Sequence, residues 1–306
     1  MRKQDARELV LLMLSAAVML VTFTAGCEFN FYDSGGSAIK PAETQTETWK
    51  HRKYGLLPDK PDKTEKLWSL PSGAKTVIPA KTDFSALFPA VYDQGELGSC
   101  TANGLLAAVD YIRKLQGLSY VYPSRLFLYY NERDIEGTVD EDAGARIQDG
   151  VKSLMRQGVC HETTWQYNVA KFKVKPPAKA YQEAMEHQAL EYAKIPDSGN
   201  LLIIRQTLAN HFPIVFGFMV YESFETEAVA RSGICPMPKP REQCLGGHCV
   251  VMVGYDDNFS NPDGSKGAAL VRNSWGPQWG LKGYFWMPYK FLQKYASDFW
   301  VIKRVE

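Results

Sequence analysis

Apolar residues fall into three zones along the chain. Over residues 9–23 they run almost unbroken, with Leu, Val, Met and Ala dominating. That run has the length of a signal-peptide core and is short for a membrane-spanning helix. From residue 28 to about 80 the chain is polar, rich in Pro, Lys, Thr and Ser, with neither helical nor strand periodicity. From Ser99 the pattern changes. Ala102, Leu105, Val109 and Ile112 recur every three or four residues, which predicts a helix that Gly117 stops. Further helices are expected over 124–133, 145–157 and 178–193, and a short one after Asn200. An apolar strand is expected over 213–218, then strands over 247–255, 268–273, 283–288 and 299–304. Helices first and strands later make an α+β protein, a helical lobe (99–195) facing a sheet lobe (200–306) with a cleft between them.

The run at 9–23 follows a basic Met1-Arg2-Lys3 and closes on Thr24-Ala25-Gly26-Cys27. Small residues before a cysteine resemble a bacterial lipoprotein processing site, with Cys27 as the lipidated residue. An ordinary cleaved signal and an uncleaved anchor are the alternatives. Residues 1–27 are therefore read as an export signal, 28–80 as a polar linker or extended pro-segment, and 81–306 as the globular domain. The destination is the cell envelope or the exterior. The chain has 306 residues and a formal net charge of +1, which leaves no electrostatic footprint for nucleic acid. It is expected to act as a monomer.

Three segments carry chemistry. Gln94-Gly95-Glu96-Leu97-Gly98-Ser99-Cys100 puts a cysteine in the first turn of a helix, where the partial positive charge and free N–H groups favour thiolate. The same N–H groups can hold an oxyanion, and Gln94 can add a side-chain donor. A buried core cysteine is the competing reading. His248 opens a strand that is apolar on both faces, and Asn273 closes the next one. An antiparallel hairpin brings the start of one strand beside the end of the other, so the two side chains meet. Nucleophile, base and orienter are then complete.

These segments, with Asn273-Ser274-Trp275-Gly276, Trp279-Gly280 and Gly283-Tyr284-Phe285, resemble the cysteine, histidine and asparagine motifs of the papain-like cysteine peptidases. The resemblance runs from about Tyr54 to Phe299-Trp300-Val301-Ile302, a closing strand similar to that of bacterial-type members. It implies peptide-bond hydrolysis through a thioester, with Cys100, His248 and Asn273 catalytic and Gln94 the oxyanion donor. It also implies that Trp275 shields the Asn273–His248 hydrogen bond and that Gly144 binds substrate backbone. No cofactor or metal is implied, and the partners are peptide or protein substrates. The sequence departs from the family at Leu97, where a cysteine is usual, and at Thr101, where an aromatic residue is usual. The interval from Cys100 to His248 suits the family. The later position of Asn273 is attributed to a long hairpin loop over 257–267.

Two other readings compete. Cys235, Cys244, His248 and Cys249 suggest a metal site, but neighbours on a strand point to opposite faces, so His248 and Cys249 do not share an ion. A catalytically silent peptide-binding relative is the second. Cys235 and Cys244 bracket a proline-rich turn and are a candidate disulfide, Cys249 reads as a small buried residue, and Cys160 has no clear partner. Part of the 28–80 stretch is expected to lie along the cleft and weaken substrate binding, in competition with a passive tether.

Overall fold

The break in pattern at Ser99 is the start of α1 (Cys100–Leu115), buried on nearly every side. The computed structural model describes residues 52–74, 77–119, 121–196 and 200–306, so the run at 9–23 and Cys27 lie outside the described residues. After α1 come α2 (Arg125–Glu136), α3 (Ile147–Arg156), α4 (Ala178–Ala184), α5 (Leu201–Ala209), α6 (Glu227–Ser232) and α7 (Tyr289–Tyr295). The strands are β1 (Lys81–Asp83), β2 (Ala189–Ile195), β3 (Ile214–Tyr221), β4 (Cys244–Ser260), β5 (Lys266–Arg272), β6 (Tyr284–Pro288) and β7 (Ala296–Val305). Ser124 starts α2 by accepting the Phe127 N–H on its hydroxyl, and left-handed Gly137 ends it.

The sheet runs β2-β7-β3-β4-β5-β6, with β1 on the flank of β4. Neighbouring strands are antiparallel, and β4 lies in the middle, so its residues from His248 to Tyr255 are buried on both faces. α1 packs on β4 closely enough that a Cβ on Gly104 would lie 3.1 Å from Cys249 Sγ. Glycine at 104 permits that approach.

Three expectations need correction. The helix expected over 178–193 ends at Ala184, and β2 then pairs with β7. The sequence of β2, Ala-Leu-Glu-Tyr-Ala-Lys-Ile, favours helix by propensity, but burial of Ala189, Ala193 and Ile195 against the sheet wins. The segment ending the expected helical lobe thus belongs to the sheet. The loop expected over 257–267 is mostly strand, because Ser260 pairs with Lys266. Asn261 holds the short turn between them by donating its amide to Ser265 O (3.2 Å) and Gly267 O (3.0 Å). Cys235 and Cys244 are both free thiols. The first points into the core and the second is exposed on the edge of β4, so the expected disulfide is not formed.

Residues 52–68 form an extended strap bound to the body. Leu56 N–H donates to Gly247 O (3.0 Å) and Leu57 N–H to Ala145 O (2.9 Å), and further on Trp68 N–H donates to Lys194 O (2.8 Å). Leu56 and Trp68 are buried.

Candidate active site

α1 brings Cys100 to the sheet, and β4 and β5 bring His248 and Asn273 to the same place. Val251 pairs with Arg272, so His248 and Asn273 lie just beyond one end of that register. His248 Nε2 is 2.8 Å from Asn273 Oδ1. That oxygen also accepts the Ser274 N–H at 2.8 Å, which fixes the amide with its oxygen toward both donors. An amide oxygen only accepts, so Nε2 carries the proton and Nδ1 carries the lone pair. Nδ1 is buried and has no hydrogen-bond partner among the described residues. It is the nitrogen left for a thiol proton.

Aromatic rings enclose the imidazole. Trp275 stacks on it (5.1 Å between centroids, 27° between planes), with Phe218 and Tyr54 edge-on at 5.7 and 6.0 Å. Trp275 itself is buried among Phe224 and Trp279. Burial lowers the His248 pKa to about 4, opposed by the hydrogen bond to Asn273. Burial likewise pushes the Cys100 thiol up to about 11, against the N–H groups of Cys249, Gly55 and Thr101. In this arrangement both members of the pair are neutral between those values.

The strap contributes to that burial, with Tyr54 against His248 and the Gly55 backbone against Cys100. Gln94 accepts the Ser274 hydroxyl on Oε1 (2.6 Å), which turns Nε2 toward the cleft, where it donates to Leu97 O (3.0 Å) and Lys53 O (3.4 Å). A carbonyl of the protein's own chain therefore sits on the donor expected to hold an oxyanion. Gly55 O accepts the Ala145 N–H (2.7 Å), and Leu56 and Ala145 pair in parallel. A Cβ on Gly217 would lie 2.3 Å from Leu56 Cδ2, so the missing side chain at 217 makes room for leucine. Gly144 has φ +77°, and a Cβ there would lie 2.0 Å from Gly55 O. The backbone groups that pair with the strap here belong to Ala145 and Gly247, and Gly144 supplies clearance. Trp275 and Gln94 stand where the sequence placed them, whereas Cys235 and Cys244 lie outside this constellation.

Sequence reasoning missed Asp93, Asp142, Ala145 and Glu225, all of which touch the strap through side chain or backbone. The signal available was Tyr54-Gly55-Leu56, an apolar–glycine–apolar triplet within a polar stretch.

Residues 78–295 match the family described as Papain family cysteine protease. An uncharacterized peptidase C1-like protein of Acanthamoeba polyphaga mimivirus is 46% identical over 222 residues, covering 70% of this chain and 69% of that protein. A cathepsin B-like cysteine proteinase 3 of Ostertagia ostertagi is 31% identical over 130 residues, 42% of this chain and 67% of its own. Among solved structures, xylellain, a cysteine protease from Xylella fastidiosa, superposes with a TM-score of 0.74 at 38% identity, covering 84% of this chain and 97% of its own.

Proposed function

Because the chain belongs to the papain family of cysteine proteases and is a cysteine peptidase, we propose that Cys100 is its nucleophile, His248 its base and Asn273 the residue that orients the base. The observation that carries this assignment is the fixed Asn273 oxygen, which commits His248 to the tautomer with a free Nδ1. Nδ1 takes the Cys100 proton, and the thiolate attacks the scissile carbonyl. Cys100 N–H and Gln94 Nε2 hold the oxyanion. His248 returns the proton to the leaving amine, and water then releases the acyl group from the thioester.

The proposed resting state is latent. The Lys53 carbonyl occupies Gln94, Gly55 covers Cys100, and Leu56 fills the apolar site at Gly217. The strap must leave before substrate enters, and water that follows it in stabilises the imidazolium–thiolate pair. From the sequence alone, residues 1–27 support export to the cell envelope, with Cys27 lipidated and the peptidase acting as a monomer on peptides or proteins.

A thiol-directed epoxide tests the central assignment. Labelling should fall on Cys100, identified by peptide mass, and should extinguish peptide hydrolysis in parallel. Hydrolysis that survives full modification of Cys100 would overturn it.

A further inference from the structure

The strap shows which side chains this cleft accepts. Lys53 O marks the oxyanion position, and Leu56 lies in the apolar site on one side of it. On the other side Arg52 is buried. Its guanidinium is paired with the Asp93 carboxylate and donates to Gly95 O at 3.0 Å. The Arg52 side chain is only 4% exposed, while that of Asp93 is 55% exposed at the rim.

Asp93 is held ready for that role. Its Oδ1 accepts the Gly95 N–H (2.9 Å), and its backbone oxygen accepts from Arg125 (3.0 Å). Its backbone pairs with Trp275, and the next residue donates its N–H to Ser274 O (2.9 Å). These contacts tie the carboxylate to the same loop that aims Gln94 and to the residues that flank Asn273. Partial burial works to raise its pKa, but the hydrogen bonds from Arg52 and the Gly95 N–H outweigh it and hold the carboxyl below its usual range. Two further acids hold the next two residues of the strap. Asp142 accepts Lys53 Nζ at 2.8 Å, and Glu225 accepts the Tyr54 hydroxyl.

We propose that Asp93 and Gly95 O form a specificity subsite for a basic side chain, arginine above lysine, on the side of the reacting carbonyl opposite the apolar Leu56 site. The proposal rests on the cysteine-peptidase reading above and names a substrate class for it: peptides carrying an apolar residue on one side of the cleaved bond and a basic one on the other. Arginine is favoured because its planar fork reaches the carboxylate and the Gly95 carbonyl together, which a single ammonium does less well. Discrimination is sharp because the guanidinium is desolvated. A neutral side chain would leave the Gly95 carbonyl without its guanidinium donor and the Asp93 carboxylate with only the Gly95 N–H and solvent.

Internally quenched peptides test this on the full chain and on its Leu56→Glu variant, in which the strap is displaced. Arginine is moved through each position around a fixed apolar residue, and cleaved bonds are mapped by mass. At one position beyond the cleaved bond, arginine should raise kcat/KM over alanine by about 10–100-fold, mostly through KM. Asp93→Asn should reduce the arginine-to-alanine ratio toward one, and Asp93→Lys should turn the preference toward glutamate. An arginine preference that survives Asp93→Asn, or none at any position, overturns the subsite while leaving the peptidase reading intact. A second measurement needs no catalysis. A peptide spanning residues 50–58 is titrated against the Leu56→Glu/Cys100→Ala protein, and its Arg52→Ala version should bind at least tenfold more weakly. Equal affinities of the two peptides overturn the subsite. Should no peptide be cleaved and Cys100 resist the epoxide, the peptidase reading itself fails, and this binding ratio still decides the subsite.

Discussion

The strap and the β4–β5 hairpin both meet Cys100, but they are held there by different forces. The hairpin is part of the sheet: His248, Cys249 and Val250 to Val253 are buried on both faces of β4, and each strand edge is satisfied by a neighbour. His248 cannot leave without unfolding the centre of the protein. Over residues 52–57 the strap crosses the same place with backbone bonds to Gly247 and Ala145, the buried Leu56, and ion pairs of Arg52 and Lys53 to Asp93 and Asp142. Net hydrogen bonds of about 0.5–1.5 kcal/mol each and about 1.5–3 kcal/mol for a buried leucine give a contact that can be reversed without loss of the fold. One element builds the chemistry and the other covers it.

The strongest way to break this division is to remove the nucleophile. Cys100→Ala should cut peptide hydrolysis by roughly 10⁴-fold or more, with the helical circular dichroism unchanged, since alanine suits the first turn of α1. Activity above contaminant level in a fluorogenic assay would mean that the hairpin serves some other residue. Gln94→Ala comes next, with kcat lower by roughly 10²–10³-fold. A change confined to the Michaelis constant would reassign Gln94 to positioning the peptide.

Perturbing the strap should act in the opposite direction. Leu56→Glu places a carboxylate against Gly217 and Gly247 and should raise activity on a short peptide by roughly 10–100-fold, through a lower apparent Michaelis constant. The pH dependence of iodoacetamide alkylation sharpens the point. With the strap in place, His248 near 4 and the Cys100 thiol near 11 leave little thiolate at pH 6–8, so alkylation should be slow until pH approaches the thiol value. In Leu56→Glu the rehydrated pair should react quickly across pH 6–8. Identical profiles would show that the strap does not govern the pair.

The contrast between the two elements also decides what could be read from the sequence. α1 announces itself by period, because a face that must be buried leaves a repeating mark on the residues, and β3 and β4, buried on both faces, announce themselves by nearly unbroken apolar runs. The chemical residues were legible for a related reason: Cys100 opens α1 and Asn273 directly follows β5, whereas His248, expected to open its strand, is the fifth residue of β4, which starts at Cys244. β2 was not legible, since its helix-favouring residues are overruled by pairing with β7, a partner about a hundred residues away in the chain. The strap was only dimly visible. An extended segment that pairs through its backbone has no period of its own, and Asp93 looks like any loop aspartate until Arg52 is seen beside it.

The smallest expected effect concerns the body alone. Asp110 on α1 accepts the Tyr92 hydroxyl at 2.5 Å and is almost wholly buried behind the hairpin. Burial raises its pKa to about 7, against the pull of Tyr92, Arg272 and Arg113. A carboxyl whose folded value lies above its unfolded value binds its proton more tightly in the native state. Its contribution is therefore fully present below about 4 and is lost as pH rises through about 7. Wild-type unfolding free energy should fall by roughly 2–3 kcal/mol between pH 5 and pH 8 on this account, at about 1.4 kcal/mol per pH unit while only the unfolded form is ionised. Asp110→Asn keeps an acceptor for Tyr92 and removes the titration, so urea unfolding of that variant should lack this slope and show greater stability than wild type at pH 8. Alkylation of Cys100 at a fixed pH should be the same in both proteins, because stability of the body and coverage by the strap are separate. If Asp110→Asn instead changed the rate at Cys100, the body and the strap would be one cooperative unit, and release of the strap would carry the cost of loosening the fold.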